Sequence, residues 1–106
     1  MKLFVYGTLK RGFFNNQVLG DSPFVRDAVI WGFTLIDLGP FPGLVAAASS
    51  VVGEVFEVDE KTLRMVDQLE GNGRLYTRIK VDIGNGEWAY TYLYCTTDPC
   101  MAEWKQ

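Results

Sequence analysis

The sequence has no histidine, and that absence removes several common kinds of site. A Ser-His-Asp triad, a Cys-His pair and a histidine-ligated zinc or haem centre cannot be built within this chain. A general base must then be a carboxylate, a lysine or tyrosine of lowered pKa, a thiolate or the N-terminal amine. The choice of catalytic base is narrowed to these groups.

Cysteine is scarce, since Cys95 and Cys100 are the only two. They cannot make a four-cysteine zinc site, but they could form a disulfide or stay as free thiols. The start of the chain lacks the basic and apolar regions of a signal peptide. We therefore expect a cytoplasmic protein with both thiols free.

Basic residues are too few for a nucleic-acid surface: 10 Lys and Arg stand against 13 Asp and Glu, for a net charge of −3. Phosphates need a basic face, so we expect no nucleic-acid partner. No apolar run approaches the roughly 20 residues of a membrane-spanning helix, so we expect no membrane partner. Residues 1–106 are expected to form a single domain, and the oligomeric state stays open.

Strand-type patterns dominate what is present, as short apolar runs that end at glycine or proline. The predicted strands are residues 2–6, 26–38 (two strands, or one strand bent at Gly32), 51–58, 76–83 and 87–95. Residues 39–43 form a loop signal, and Asn85-Gly86 has the chemistry of a type I′ turn. Both faces of 87–95 are apolar, which predicts that this strand is covered on both sides.

A helix is predicted to begin after Asp59, whose carboxylate can cap the first turn, and to end at Gly71. Leu63, Val66 and Leu69 recur on one face at helical spacing. This helix stands between pairs of strands.

Other segments are less regular. Residues 7–20 are typical of a polar loop with one helical turn at 16–19. Residues 101–106 are typical of a short helix or a frayed tail. The order is not a regular βαβ alternation. We expect an α+β fold with a small mixed or antiparallel, barrel-like sheet and one main helix.

The end of the first strand is a candidate site. The strand stops at Gly7, within Tyr6-Gly7-Thr8-Leu9, which leaves the following backbone N–H groups unpaired and open. Such groups can hold a carboxylate or an oxyanion. The alternative is an ordinary glycine turn after an edge strand.

Glu70 is a second candidate, because it falls in the last turn of the predicted helix. The helix dipole disfavours an anion there by roughly 0.3–1 kcal/mol. A carboxyl with a raised pKa suits a general base working near neutral pH. The alternative is an exposed glutamate at a helix end, without a role.

Two charged residues on strands have open interpretations. Glu54 could be buried and paired, although a solvent-facing position is favoured. Arg78 could be a surface charge, or could pair with an acidic group or a substrate carboxylate. No GxGxxG or GxxxxGK[ST] motif is present, so no phosphate loop is expected.

Several motifs together resemble the γ-glutamylcyclotransferase-like family, which includes γ-glutamylamine cyclotransferases and AIG2-like proteins. They follow the family order over nearly the whole chain. They are VYGTLKRG at residues 5–12 with Asn15 or Asn16 after it, FPGL at 41–44, VGEVF at 52–56, and Glu70 followed by Tyr76 and Arg78 in an E-x5-Y-x-R spacing.

The resemblance implies a small barrel-like α+β fold with short flanking helices and an enzyme without metal or cofactor. The implied reaction releases 5-oxoproline from a small γ-glutamyl compound, through attack of its α-amine on its own γ-carbonyl. The implied roles are substrate binding by Tyr6, Gly7, Thr8 and Leu9, acid/base catalysis by Glu70, and support by Tyr76 and Arg78.

Two other functions stay open. A non-catalytic module on the same fold could keep the pocket for a small anion. An interaction protein could use Phe13, Phe14 and Trp104 as exposed anchors. The chain is short for the family after Tyr94, and the apolar Phe13-Phe14 pair near the expected pocket mouth hints at an apolar substrate tail or a partner.

Overall fold

A computed structural model of the protein describes residues 1–39 and 41–95. A short 3-10 helix over Phe14–Leu19 contains the helical turn predicted at 16–19. The other elements are β1 (Lys2–Val5), β2 (Phe24–Asp37), β3 (Pro42–Glu57), α1 (Glu60–Glu70), β4 (Tyr76–Gly84) and β5 (Glu87–Tyr94). The predicted terminal segment 101–106 lies outside the described residues, as does Trp104.

The five strands form one mixed sheet in the order β2-β3-β1-β5-β4. β1 pairs antiparallel with β3 and parallel with β5, while β2/β3 and β4/β5 are antiparallel pairs. The predicted α+β class is confirmed. β2 and β4 are edges, so the barrel-like sheet is not closed. Arg26 on β2 nevertheless donates to the Ile83 carbonyl of β4 at 2.9 Å, which shows that the two edges approach each other.

The β2/β3 pair is longer than the sequence indicated. β2 is one strand with a register shift between Trp31 and Phe33, where Gly32 adopts a φ of 92°. This matches the bent-strand alternative. β3 starts at Pro42, so the prediction of a loop through residue 43 and a strand start at 51 is wrong. Pairing with β2 imposes the extended form on residues of weak strand preference.

Helix α1 has the predicted ends. The Asp59 carboxylate accepts a 2.7 Å hydrogen bond from the Thr62 N–H, and Gly71 closes the helix in the left-handed conformation at a φ of 61°. Leu63 and Val66 are buried, whereas Leu69 is partly exposed. Among the described residues, no helix is long and apolar enough to cross a membrane.

The β4/β5 hairpin also follows the prediction. Asn85 and Gly86 both have positive φ, at 57° and 72°, as a type I′ turn requires. Along β5, Ala89 and Thr91 to Leu93 are buried, so both faces are covered there. Trp88, at the start of β5, is the exception and is partly exposed.

β1 separates two apolar clusters and is buried on both faces. Phe4 packs on one side with residues that include Ile30 and Val55. Leu3 and Val5 pack on the other side, in the cluster beneath α1. The end of β1 is therefore fixed from both sides, which sets the direction in which residues 6–9 leave the sheet.

The expectation of free thiols is wrong for Cys95, which is disulfide-bonded in the structure. Cys100 lies outside the described residues. The prediction used the number of cysteines and the lack of a leader pattern, which indicate only the redox compartment. Whether a disulfide forms also depends on the local distance and orientation of the two cysteines, which these signals do not give.

Candidate functional site

The chain leaves β1 in a turn over residues 7–10. Lys10 N–H donates to the Gly7 carbonyl at 3.1 Å. The N–H groups of Gly7, Thr8 and Leu9 donate no hydrogen bond to any part of residues 1–39 and 41–95. Three adjacent amides without an acceptor in the described part of the chain form a suitable place for an anionic oxygen.

Two asparagines hold this turn in place. Asn15 Nδ2 donates to Thr8 Oγ1 at 2.8 Å, and Asn16 Nδ2 donates to the Leu9 carbonyl at 2.8 Å. Both come from the start of the 3-10 helix. The turn is therefore preorganised by its own loop, which lowers the entropic cost of ordering it around a ligand.

Glu54 on β3 fixes the far end of the same loop. Its carboxylate accepts the Arg11 N–H at 2.8 Å and pairs with Arg11 Nε at 3.3 Å. The Glu54 side chain is only 14% exposed, so the favoured prediction of a solvent-facing position is wrong and the paired alternative holds. Alternation along a strand could not reveal this, because the partner comes from a distant loop.

Glu70 lines the same pocket as the residues of the turn, Gly7, Thr8 and Leu9. It is the last residue of α1, and Gly71 turns the chain away directly after it. Burial raises the pKa of the Glu70 carboxyl to about 7. No hydrogen bond or ion pair from the described residues reaches this carboxyl group. It is poised to exchange a proton near neutral pH.

The helix end that carries Glu70 is tied to the sheet through Asp67. Arg78 Nη1 lies 2.7 Å from Asp67 Oδ2, and the Tyr92 hydroxyl donates to Asp67 Oδ1. The guanidinium of Arg78 also stacks 4.7 Å from the centre of the Tyr90 ring. Asp67 and Tyr92 were not found from the sequence. The helical i, i+3 spacing of Asp67 and Glu70 was an available signal for Asp67.

Two tyrosines border the carboxyl group as hydrogen-bonded, neutral side chains. Tyr6 donates to the Tyr92 carbonyl at 2.6 Å, and Tyr76 donates to the Pro42 carbonyl at 2.9 Å. Burial, followed by the charge of Glu70, raises the pKa of Tyr6 well above its usual value and that of Tyr76 to about 12. Neither is a base at neutral pH.

The pocket between the turn and the helix end has a volume of about 100 Å³. Tyr6, Gly7, Thr8, Leu9, Glu70 and Tyr76 all line it. Arg78 does not line it and acts on its wall through Asp67. The Phe13-Phe14 pair does not line it either, and both rings are exposed. No group of three metal-ligating side chains converges in the described ranges.

The arrangement combines one ionisable carboxyl group with a turn of unpaired main-chain amides, and residues of both line one small, mostly apolar pocket. Such a site can move a proton and hold an anionic oxygen. Its small volume suits a compact polar group better than a drug-sized ligand.

Comparisons with known proteins point to one family. Residues 3–106 match the family model described as gamma-glutamyl cyclotransferase, AIG2-like. The chain is 36% identical to the gamma-L-glutamyl-butirosin B gamma-glutamyl cyclotransferase of Niallia circulans, over 98% of this chain and 75% of that protein. It is 33% identical to the gamma-glutamylcyclotransferase family protein YtfP of Escherichia coli K12, over 87% of this chain and 82% of that protein.

A solved structure agrees with these sequence matches. The crystal structure of an AIG2-like protein from Mus musculus superposes with a TM-score of 0.80 at 30% identity, covering 92% of this chain and 79% of that one. Sequence and fold thus lead to the same group. The chain belongs to the gamma-glutamyl cyclotransferase, AIG2-like family.

Proposed function

We propose that the protein is a cyclotransferase that releases 5-oxoproline from a γ-glutamyl amine or γ-glutamyl amino acid. The observation that carries the proposal is that Glu70 and the residues Gly7 to Leu9 line one pocket. Family membership supports the γ-glutamylcyclotransferase type of activity. The assignment of roles to individual residues is implied by the resemblance of their motifs to the family, and their place in one pocket supports it.

The substrate contains both reacting groups, so the protein mainly holds it in a folded conformation. Orientation of this kind can contribute about 7–11 kcal/mol in ideal cases. The α-nitrogen attacks the γ-carbonyl carbon and forms the C–N bond of the five-membered ring. The bond between that carbon and the leaving nitrogen breaks.

Glu70 carries the proton that this exchange requires. The α-amine is an ammonium group at neutral pH and must lose a proton before it can attack. The Glu70 carboxylate accepts that proton and returns one to the leaving nitrogen. In total the α-nitrogen loses two protons and the leaving nitrogen gains two, so no water is consumed.

The amides at the end of β1 bind an anionic oxygen of the substrate. Two such oxygens exist: the α-carboxylate, and the oxyanion that develops on the γ-carbonyl during attack. Either would accept hydrogen bonds from the N–H groups of Gly7, Thr8 or Leu9, which have no acceptor among the residues that the structure describes. The neutral hydroxyls of Tyr6 and Tyr76 keep this part of the pocket fixed.

The test is an assay for 5-oxoproline with γ-glutamylamines, γ-glutamyl amino acids and glutathione. We expect product from at least one of them, and a fall in kcat/KM of at least about 100-fold in Glu70→Gln. Glu60→Gln is the matched control, because Glu60 lies at the opposite end of the same helix, in an exposed pair with Arg64.

Two results would contradict the proposal. One is the absence of product from every compound, and the other is unchanged turnover in Glu70→Gln. Stabilisation by a γ-glutamyl compound that persists in Glu70→Gln, without any product, would instead identify a small-anion-binding module.

A further inference from the structure

Tyr92 on β5 is hydrogen-bonded to both halves of the candidate site. Its main-chain carbonyl accepts a 2.6 Å hydrogen bond from the hydroxyl of Tyr6, the residue directly before the turn that begins at Gly7. Its own hydroxyl donates to Asp67 Oδ1, one turn before Glu70 on α1. The residue is only 2% exposed, and it also lines the pocket. One buried residue thus links the turn to the helix end that carries the carboxyl group.

The contact with Asp67 is made from the interior of the sheet. β5 lies between β1 and β4, and Tyr92 stands directly opposite Arg78 in the β4/β5 pair. The hydroxyl of Tyr92 donates to one oxygen of the Asp67 carboxylate, and Arg78 Nη1 donates to the other at 2.7 Å. Two neighbouring strands therefore fix the orientation of this carboxylate and, with it, the last turns of α1.

The hydroxyl of Tyr92 is a donor that keeps its proton. Burial, followed by the hydrogen bond to Asp67, raises the pKa of Tyr92 above its ordinary value. The proton is directed at Asp67, so it is not offered to a ligand in the pocket. Any influence of this hydroxyl on the reaction must then pass through the position of Glu70.

We propose that Tyr92 is a positioning residue: through its hydroxyl and Asp67 it holds the carboxyl group of Glu70 in the wall of the pocket. This inference rests on the proposed function and adds a residue to the same site. Without the hydroxyl, Asp67 keeps only its contact with Arg78, and the last turn of α1 is free to move toward solvent. Displacement of a reacting group by about 1 Å is enough to cost up to 10²-fold in rate.

The surroundings of Glu70 make such a movement visible in its titration. Three hydroxyl groups are near enough for its charge to affect their pKa, and all three stay protonated at neutral pH: those of Tyr6, Tyr76 and Tyr92. The nearby charges of Asp67 and Arg78 are paired with each other. In the described ranges, the 3-10 helix and the β2–β3 connection add no titratable side chain to the pocket lining. Burial is what raises the pKa of Glu70 to about 7, so movement into water should lower it toward 4.5.

Tyr92→Phe removes the hydroxyl and keeps the ring. We expect kcat for 5-oxoproline release to fall at least about tenfold, with KM changed less than about twofold because the turn at Gly7 is retained. Tyr90→Phe is the matched control. Tyr90 lies on the same strand, and its hydroxyl makes no hydrogen bond to residues 1–39 and 41–95, since its contacts there are made by the ring. This variant should leave kcat and KM unchanged.

The titration of Glu70 is a readout that does not depend on turnover. It is followed by NMR of isotopically labelled glutamate carboxyl groups, with the Glu70 signal assigned as the one missing from Glu70→Gln. In Tyr92→Phe the pKa of Glu70 should move from about 7 toward 4.5, whereas Tyr90→Phe should leave it in place. The pH profile of kcat/KM should move in the same direction as the titration.

A double-mutant cycle tests whether Tyr92 acts through Asp67. Asp67→Ala removes the acceptor of the Tyr92 hydroxyl and should lower the pKa of Glu70 in the same direction as Tyr92→Phe. When Tyr92→Phe is added to Asp67→Ala, kcat should fall by less than about twofold more. Losses that multiply in the double variant would mean that the Tyr92 hydroxyl acts on the substrate itself, and they would overturn the positioning role. Thermal melting checks that each variant is folded.

The outcomes separate this inference from the proposed function. With an active enzyme, either an unchanged kcat or an unchanged titration of Glu70 in Tyr92→Phe overturns the role of Tyr92 and leaves the cyclotransferase activity intact. Release of 5-oxoproline from none of the compounds overturns the proposed function. The titration then still decides whether Tyr92 holds the carboxyl group of Glu70 in the pocket wall.

Discussion

Arg78 Nη1 donates a 2.7 Å hydrogen bond to Asp67 Oδ2 and so joins strand β4 to the final turns of helix α1. A second connection lies next to it, since the Arg78 N–H donates to Asn72 Oδ1 at 2.8 Å. Glu70 lies between Asp67 and Asn72 in the chain. The position of the Glu70 carboxyl group therefore depends on contacts that are made outside the pocket.

Removal of this ion pair should affect both stability and activity. Arg78→Met leaves the Asp67 carboxylate, 19% exposed, without its cation. We expect the free energy of unfolding to fall by about 1–3 kcal/mol and kcat to fall because Glu70 is no longer held in place. Urea denaturation and steady-state kinetics measure the two effects.

The exposed pair of Arg64 with Glu60 on the same helix supplies the control. Arg64→Met should change stability by less than about 0.5 kcal/mol and leave kcat unchanged. Equal effects of Arg78→Met and Arg64→Met would contradict the positioning role of Arg78.

Gly53 should not tolerate a side chain. A Cβ at this position would lie 2.4 Å from the Val5 carbonyl oxygen and 2.5 Å from Phe4 Cζ. Because β1 is fixed between two apolar clusters, it cannot move away cheaply. We expect Gly53→Ala to lower the free energy of unfolding by about 1–3 kcal/mol, measured by urea denaturation.

The neighbouring Val52 is exposed and gives a matched control. Val52→Ala should alter stability by less than about 0.5 kcal/mol. A Gly53→Ala protein as stable as wild type would show that β1 and β3 do not pack as closely as described.

Glu70 should make the protein less stable as pH rises. Its pKa is raised from 4.5 to about 7 in the folded state, so folding favours the protonated form. That contribution is fully present below pH 4.5 and is lost as pH rises to about 7. The loss amounts to about 3 kcal/mol.

Glu70→Gln should be free of this effect. The difference in unfolding free energy between Glu70→Gln and wild type should therefore grow in favour of the variant from pH 4.5 to pH 7, and stay constant above. Urea denaturation at a series of pH values measures it. A pH-independent difference would mean that the carboxyl group is solvated in the folded protein.

Much of the fold was predictable from local sequence signals. Asp59 and Gly71 mark the ends of α1, and Asn85-Gly86 marks the β4/β5 turn, because capping and positive φ are properties of a few adjacent residues. The start of β3 was missed. Residues 42–50 are extended through pairing with β2, which is a non-local effect.

Some residues of the candidate site could likewise be predicted from local sequence signals, and others could not. Glu70 and the Gly7 turn carry local signals, and their motifs resemble a family. Asp67, Tyr92 and the pairing of Glu54 with Arg11 depend on residues far apart in the chain. Sequence spacing alone cannot show which distant side chains meet, so these supporting contacts required the structure.

The central claim is that the Glu70 carboxyl group is the acid/base catalyst. The most direct test of this claim is the pH dependence of kcat/KM for 5-oxoproline release. The account predicts that log kcat/KM falls with unit slope below a pKa of about 7, because protonated Glu70 cannot accept the α-ammonium proton. A profile that stays flat from pH 7 down to about 5, with any decline only near the ordinary glutamate pKa of 4.5, would contradict it.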